Sequence, residues 1–153
     1  MTFATDNITR DAVAQFQKFD VDTQLALLWY GYLDIKDQLH PGTGKQIGEE
    51  TARALFDQIQ ALPQQEQLQA QRDIASGANS PIAHAYTALP SSGRLDLWLL
   101  LGKGMEDGSI IPFPSNYQLP AETNTFVNNI KQLDFERRIN FTRSIVLEMG
   151  AKA

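Results

Sequence analysis

From Leu25 to Leu33 the chain reads Leu-Ala-Leu-Leu-Trp-Tyr-Gly-Tyr-Leu, without a charge and with large side chains everywhere except Ala26 and Gly31. At helical spacing Leu25, Leu28, Trp29, Tyr32 and Ile35 form one stripe about 120° wide, and Leu27, Tyr30 and Leu33 cover most of the rest. This pattern predicts a helix buried nearly all round. A second run, Leu-Asp-Leu-Trp-Leu-Leu-Leu-Gly from Leu95 to Gly102, places Leu95, Trp98, Leu101, Gly102 and Met105 on one side and Asp96, Lys103 and Asp107 opposite. The only two tryptophans therefore sit at the centres of the two most apolar helices. Two readings follow: both helices fill the core of a bundle, or they wall a pocket for a long apolar ligand. Gly31 and Gly102 favour the pocket, because a helical glycine costs roughly 1 kcal/mol against alanine and marks a close approach by backbone or ligand.

The remaining pattern is helical throughout. The seven prolines fall between periodic segments and never inside one. Ile8, Ala12, Val13, Phe16 and Phe19 predict a helix from Asn7 to Lys18, and Asp20 or Asp22 caps the central helix, which extends to about Gln38. Ala52, Leu55, Phe56 and Ile59 mark a helix from Glu49, whose first turn carries Glu49 and Glu50 where the helix dipole favours them. The glutamine-rich tract from Gln58 to Gln71 reads as polar surface, with a helix start at Pro63, anchors at Leu68 and Ile74, and an end at Ser76-Gly77. Ser80-Pro81 opens a short helix through Tyr86, and Pro90 to Gly93 introduces the Trp98 helix, which stops at Asp107-Gly108. The stretch from Ile110 to Tyr117 is apolar yet irregular, so it must lie against something buried and could line a pocket. Pro120 opens a helix bearing Phe126, Val127, Ile130 and Leu133. Asp134 caps the last helix, whose stripe is Phe135, Ile139, Thr142, Val146 and Met149, with Gly150 ending it. Arg143 lies at the edge of that stripe, where its stem can pack while the guanidinium stays near solvent.

Composition narrows the function. At 153 residues, 42% hydrophobic and 20% charged, the chain predicts one domain, of two sub-bundles. A net charge of -5 with 13 Lys and Arg spread thinly offers no stripe to neutralise a phosphate backbone, which argues against nucleic acid as a partner. Cysteine is absent, so neither disulfides nor thiolate chemistry enters. No segment approaches the ~20 apolar residues that span a bilayer, and Met1 to Arg10 does not read as a leader, so the expectation is a soluble chain without membrane insertion. His40 to Lys45 looks superficially like a phosphate-binding loop, but Leu39 stands where its first glycine belongs and Gln46 replaces the metal-binding hydroxyl. His40 and His84 lack partners at metal-ligand spacing, and Asp96, Glu106 and Asp107 around Lys103 suit surface ion pairs. No catalytic constellation stands out, and the expectation is a protein that is not an enzyme.

Four stretches in order, Asp22 to Leu33, Leu95 to Met105, Pro112 to Tyr117 and Arg143 to Gly150, carry a resemblance. The chain resembles the helical carotenoid proteins, homologues of the N-terminal domain of the cyanobacterial orange carotenoid protein. The resemblance implies an all-α, orthogonal bundle of two discontinuous four-helix sub-bundles with a ligand tunnel between them. It implies a single carotenoid-binding domain over residues 1–153, with no C-terminal regulatory domain. A ketocarotenoid of the canthaxanthin or echinenone type would lie there non-covalently, its end rings packed by Trp29, Tyr32 and Trp98. Leu25, Gly102, Met105, Phe113, Tyr117 and Met149 match tunnel positions, and Leu28, Ile35, Leu95, Leu99 and Ile139 complete the expected lining. Arg143 matches an arginine implicated in docking to the phycobilisome. Two departures stand out: Leu99 replaces a tyrosine, which alters the tunnel, and Ser92 replaces an asparagine of the domain interface, which fits a free-standing domain.

Burying about 700 Å² of polyene surface would contribute up to ~17 kcal/mol before association costs, so few polar contacts are required. Tryptophan and tyrosine grip end rings with flat faces, and methionines adapt to a curved polyene. The resemblance implies a photoprotective protein of the cytoplasm, at the phycobilisome or thylakoid surface, that quenches singlet oxygen or carries pigment and takes it from a donating partner protein. Docking to the phycobilisome to drain antenna excitation is the first alternative, and a ligand-free helical interaction module is the second.

Overall fold

The computed structural model describes residues 7–35, 49–112 and 117–150, and among them are eight α-helices and no strand. Helix α1 (Asn7–Lys18) is followed by α2 (Val21–Ile35), α3 (Glu49–Gln60), α4 (Gln64–Ser76), α5 (Pro81–Thr87), α6 (Ser91–Asp107), α7 (Thr123–Lys131) and α8 (Phe135–Leu147). The continuation of α2 to Gln38 and the loop from His40 to Lys45 lie outside the described residues.

Local chemistry sets the starts. The Asp20 carboxylate accepts from the Thr23 N–H at 2.8 Å, which makes Asp20 the cap of α2 and leaves Asp22 to pair with Arg72 on α4 at 2.9 Å. Ser80 accepts from the Ala83 N–H at 3.1 Å ahead of Pro81, and Asp134 accepts from the Arg137 N–H at 2.8 Å. Helices α4 and α6 end on Gly77 and Gly108, both left-handed. Helix α7 starts later than Pro120 suggests: Ala121 and Glu122 form a turn, and Thr123 bonds back to the Pro120 carbonyl through both its N–H and its hydroxyl.

Hydrogen bonds to the Thr23 hydroxyl and N–H hold the Asp20 carboxyl below its ordinary value. A depressed folded value means the cap contributes fully above the ordinary carboxylate range and is lost as pH falls through the lower folded value. Asp20→Ala should therefore destabilise the protein by about 1 kcal/mol at neutral pH. In urea titrations the gap from the wild type should close in strong acid.

Two groups of four helices result, and the first is split in sequence. In one, α1 packs on α7 and α8, and α2 packs on α8; in the other, α3, α4, α5 and α6 pack together. Phe16, Phe126 and Phe141 fill the first, with ring centroids 5.7 to 6.4 Å apart, and the Phe19 ring meets Phe126 edge-on at 5.4 Å. Its buried stripe on α8 is broader than the periodicity predicts, since Phe141, Ser144 and Ile145 are buried together with Ile139 and Val146. On α1, Thr9 is fully buried while Ile8 is 57% exposed. The second group is clasped by Arg94, whose guanidinium donates to the carbonyls of Thr87, Leu89 and Leu147 and lies over the Tyr86 ring. The groups meet where α6 packs on α8 and where α2 packs on α4 and α6.

Much of the glutamine-rich tract is surface, as its composition predicts, with Gln64, Gln65 and Gln69 exposed, but two glutamines of α4 turn inward. Gln67 and Gln71 are each only 3% exposed. Gln67 donates to the carbonyls of Gln60 and Leu62 and accepts from the Ile111 N–H at 2.7 Å, fastening the α3–α4 corner to the stretch after α6. A side-chain amide suits this place because it satisfies two carbonyls and one N–H at once.

Candidate functional site

Where α2, α4, α6 and α8 meet, they leave a narrow cavity. Helix α2 contributes Leu25, Leu28, Trp29 and Tyr32; α6 contributes Leu95, Trp98, Leu99, Gly102 and Met105; Gln71 and Thr142 close it. Its volume is about 20 Å³, room for a single water. A wider cavity of about 130 Å³ shares Leu25, Gln71 and Met105 with it and continues past Leu68, Ile111, Pro112 and Tyr117. The exposed Asp22–Arg72 pair completes that lining. Adjacent through the three shared residues, the two spaces mark out a corridor between the sub-bundles, narrower at the tryptophans.

The two tryptophans are held differently. Trp98 is buried, and its indole N–H donates to the Tyr86 hydroxyl at 3.1 Å, which in turn donates to the Val146 carbonyl. Burial pushes the Tyr86 hydroxyl pKa far up, against smaller opposing effects of Trp98 and the Arg94 charge, so the phenol stays a donor throughout the physiological range. Trp29 is half-buried and stacks on Tyr32, ring centroids 5.9 Å apart and planes 23° from parallel. The Tyr32 hydroxyl donates to Glu106 at 2.6 Å. Its ring lies against Gly102 so closely that a methyl built on that glycine would come within 2.6 to 2.8 Å of three ring carbons. Gly102 thus has the close neighbour that the sequence predicts.

Gly31 does not: a side chain there would meet open space. It borders a third cavity of about 150 Å³ between α2, α7 and α8, lined by Leu27, Leu28, Phe126, Ile130 and Phe141 among others and by the Asp34–Arg138 pair. Nor is α2 buried all round. Thr23 to Ala26 are buried, but Leu27 to Trp29 and Gly31 to Leu33 are half-buried and Tyr30 is 41% exposed, because cavities flank the second half on two sides.

Of the expected lining, Leu25, Leu28, Trp29, Tyr32, Leu95, Trp98, Leu99, Gly102 and Met105 meet in the narrow cavity, and Tyr117 stands in the wider one. Met149 does not join them: it borders a separate open cavity with Phe16, Gln17 and Gln24. It lies two residues past the end of α8 at Leu147. Ile139 is buried on α8 but lines none of these four cavities. The side chains of Ile35, Ser92 and Phe113 lie outside the described residues, and Arg143 is exposed on α8. Gln71 and Tyr86 escape the sequence reading: a glutamine in a polar tract and a tyrosine in a seven-residue helix carry no signal of burial.

The acidic residues of α6 do not gather around Lys103 as simple surface pairs. Asp96 is half-buried, Glu106 accepts from Tyr32, and Asp107 accepts from the Ser109 N–H at 2.9 Å. Hydrogen bonds from Ser109, aided by Lys103, hold the Asp107 carboxyl below its usual range. His84 bonds to Asn79. Among the described residues, no three His, Cys, Asp or Glu side chains cluster to hold a metal ion, and no helix is long and apolar enough to cross a membrane.

Tyr86→Phe keeps the ring but leaves the indole N–H of Trp98 and the Val146 carbonyl without their partner. It should cost about 1–3 kcal/mol. A lower urea midpoint together with altered tryptophan fluorescence is the expected result.

Residues 2–152 match the model of a family described as orange carotenoid protein, N-terminal. The chain belongs to this family. An orange carotenoid-binding domain-containing protein of Nostoc sp. strain PCC 7120 is 31% identical over 98% of this chain and 96% of its own length. The orange carotenoid-binding protein of Synechocystis sp. strain PCC 6803 is also 31% identical, over 99% of this chain but only 48% of its own length, so the chain spans about half of that relative. Among solved structures, the red carotenoid protein of Anabaena (Nostoc) sp. PCC 7120 binding canthaxanthin is 35% identical with a TM-score of 0.83, over 94% of this chain and 99% of that one. The orange carotenoid protein of the same organism binding canthaxanthin is 29% identical with a TM-score of 0.86, over 95% of this chain and 47% of that one. The family's all-helical fold is therefore the fold found here.

Proposed function

We propose that this protein binds a ketocarotenoid of the canthaxanthin or echinenone type, non-covalently, along the corridor between its sub-bundles, and acts in photoprotection as a singlet-oxygen quencher or pigment carrier. The observation that carries the reading is the convergence of Trp29, Tyr32 and Trp98 with aliphatic neighbours on one apolar passage, in a chain whose structural relatives bind canthaxanthin. The residues fit such a guest: among the described residues no charged side chain lines the narrow section, and Gly102 brings α6 against the Tyr32 ring.

A bound carotenoid would supply a low-lying triplet level that accepts energy from singlet oxygen and releases it as heat. The residues supply everything else. Trp98, pinned through Tyr86 to Val146, is one wall, and Trp29 stacked on Tyr32, itself bonded to Glu106, is a second. Aliphatic side chains and Met105 exclude water along the passage. Expression in a ketocarotenoid-producing host tests the reading: the purified protein should carry pigment with visible absorbance, and a colourless product in that host would overturn it.

A second reading, docking to the phycobilisome to drain excitation, draws on the exposure of Arg143 on α8. Holoprotein added to isolated phycobilisomes should then lower antenna fluorescence, and Arg143→Ala should abolish the effect. In either reading the protein works in the cytoplasm, at the phycobilisome or thylakoid surface, and takes pigment from a donating partner protein.

A further inference from the structure

Gln71 projects from α4 into the junction of the narrow and wider cavities, between Leu25 and Met105, and lines both. It is only 3% exposed, and its side-chain amide nitrogen is buried without a hydrogen-bond partner. The neighbouring glutamine on the same helix shows the usual outcome: Gln67, equally buried, has its nitrogen bonded to two carbonyls and its oxygen to an N–H. A buried donor with no acceptor weakens the fold, and leucine or methionine of similar volume would fill the place without that loss.

The wider cavity is comparable to the roughly 150 Å³ apolar cavity that accommodates benzene, and at the exposed Asp22–Arg72 pair it opens toward solvent, where the substituents of a larger end ring can extend. Its volume is about 130 Å³, and Tyr117, Pro112 and Ile111 bound it away from the tryptophans. A guest lying along the corridor with one end ring here would bring the substituents of that ring near Gln71.

We propose that Gln71 is a specificity-determining residue: its amide N–H donates to an oxygen on the end ring in the wider cavity, so the site selects oxygenated carotenoids over hydrocarbon ones. This rests on the ketocarotenoid reading above and adds to it the atom that reads the oxygen. A hydrocarbon carotenoid in the same place would seal the amide against carbon on every side, whereas a ring carbonyl supplies the missing acceptor.

The test is competitive loading of the purified full chain with an equimolar mixture of canthaxanthin and β-carotene, followed by extraction and chromatography. Wild-type protein should retain canthaxanthin by on the order of tenfold over β-carotene, and Gln71→Leu and Gln71→Met should each bring that ratio close to one. The variant apoproteins should also melt at or above the wild-type temperature, because each removes an unpartnered donor from the interior. A ratio unchanged in both variants, or a wild type that takes the two pigments equally, would overturn the assignment of Gln71 while leaving carotenoid binding intact. Wild-type protein that takes up neither pigment would overturn the carotenoid reading and this inference together.

Discussion

Trp98→Ala should purify with less than about a tenth of the wild-type pigment, measured as the ratio of visible to ultraviolet absorbance, because it removes the one ring of the corridor that is both buried and anchored. It should also cost about 3–5 kcal/mol of stability, a large share of the roughly 5–15 kcal/mol that holds a domain together. Trp98→Phe separates the two effects, since it keeps an aromatic wall and gives up only the hydrogen bond to Tyr86. That variant should hold more pigment than Trp98→Ala. Trp29→Ala offers a second check: Trp29 is only half-buried, so it should lose pigment to a similar degree with a smaller drop in melting temperature. Arg143→Ala, on an exposed position of α8, should leave the spectrum and the pigment yield as they are. Pigment yields equal to the wild type in both tryptophan-to-alanine variants would remove these rings from the site.

Gly102→Ala should also strip pigment, with little change in stability. On helix propensity alone the substitution gains up to about 1 kcal/mol. Against that, the new methyl would lie 2.6 to 2.8 Å from carbons of the Tyr32 ring, including the carbon that joins the ring to its stem, so the whole ring has to move. Tyr32 is half-buried and can swing outward, which leaves the fold nearly unaffected. The swing would break the stack on Trp29 and the bond to Glu106, taking down one wall of the corridor. A melting temperature near the wild-type value together with a several-fold drop in bound pigment is the expected result. Unchanged pigment with an increased melting temperature would show that Tyr32 does not shape the passage.

These variants mark where the residues can be read in order and where they cannot. The caps at Asp20, Ser80 and Asp134 and the left-handed ends at Gly77 and Gly108 lie where side-chain chemistry and spacing place them, because each depends on a handful of adjacent residues. Trp29 and Trp98 border one cavity, as a pocket between the two most apolar helices requires, although each helix packs more on other partners, α6 on α3 and α8 and α2 on α4. Gln71 and Gln67 show the limit, as composition assigned α4 to the surface and two of its glutamines are buried. Gly31 and Met149 show another: Gly31 faces open space beside a cavity rather than a neighbouring side chain, and Met149, which the resemblance places in the tunnel, borders a different cavity beyond the end of α8.

By itself the amino-acid order determined the helices and most of their ends, which follow from periodicity and local hydrogen bonding, and four matching stretches carried the resemblance to the family. The tertiary structure alone decided that Tyr86 anchors Trp98, that Tyr32 rests on Gly102, and that the amide of Gln71 faces the corridor without a partner. Each of these depends on which faces of distant helices meet. Helical periodicity says that a face is apolar, but the opposing helix decides what that face touches.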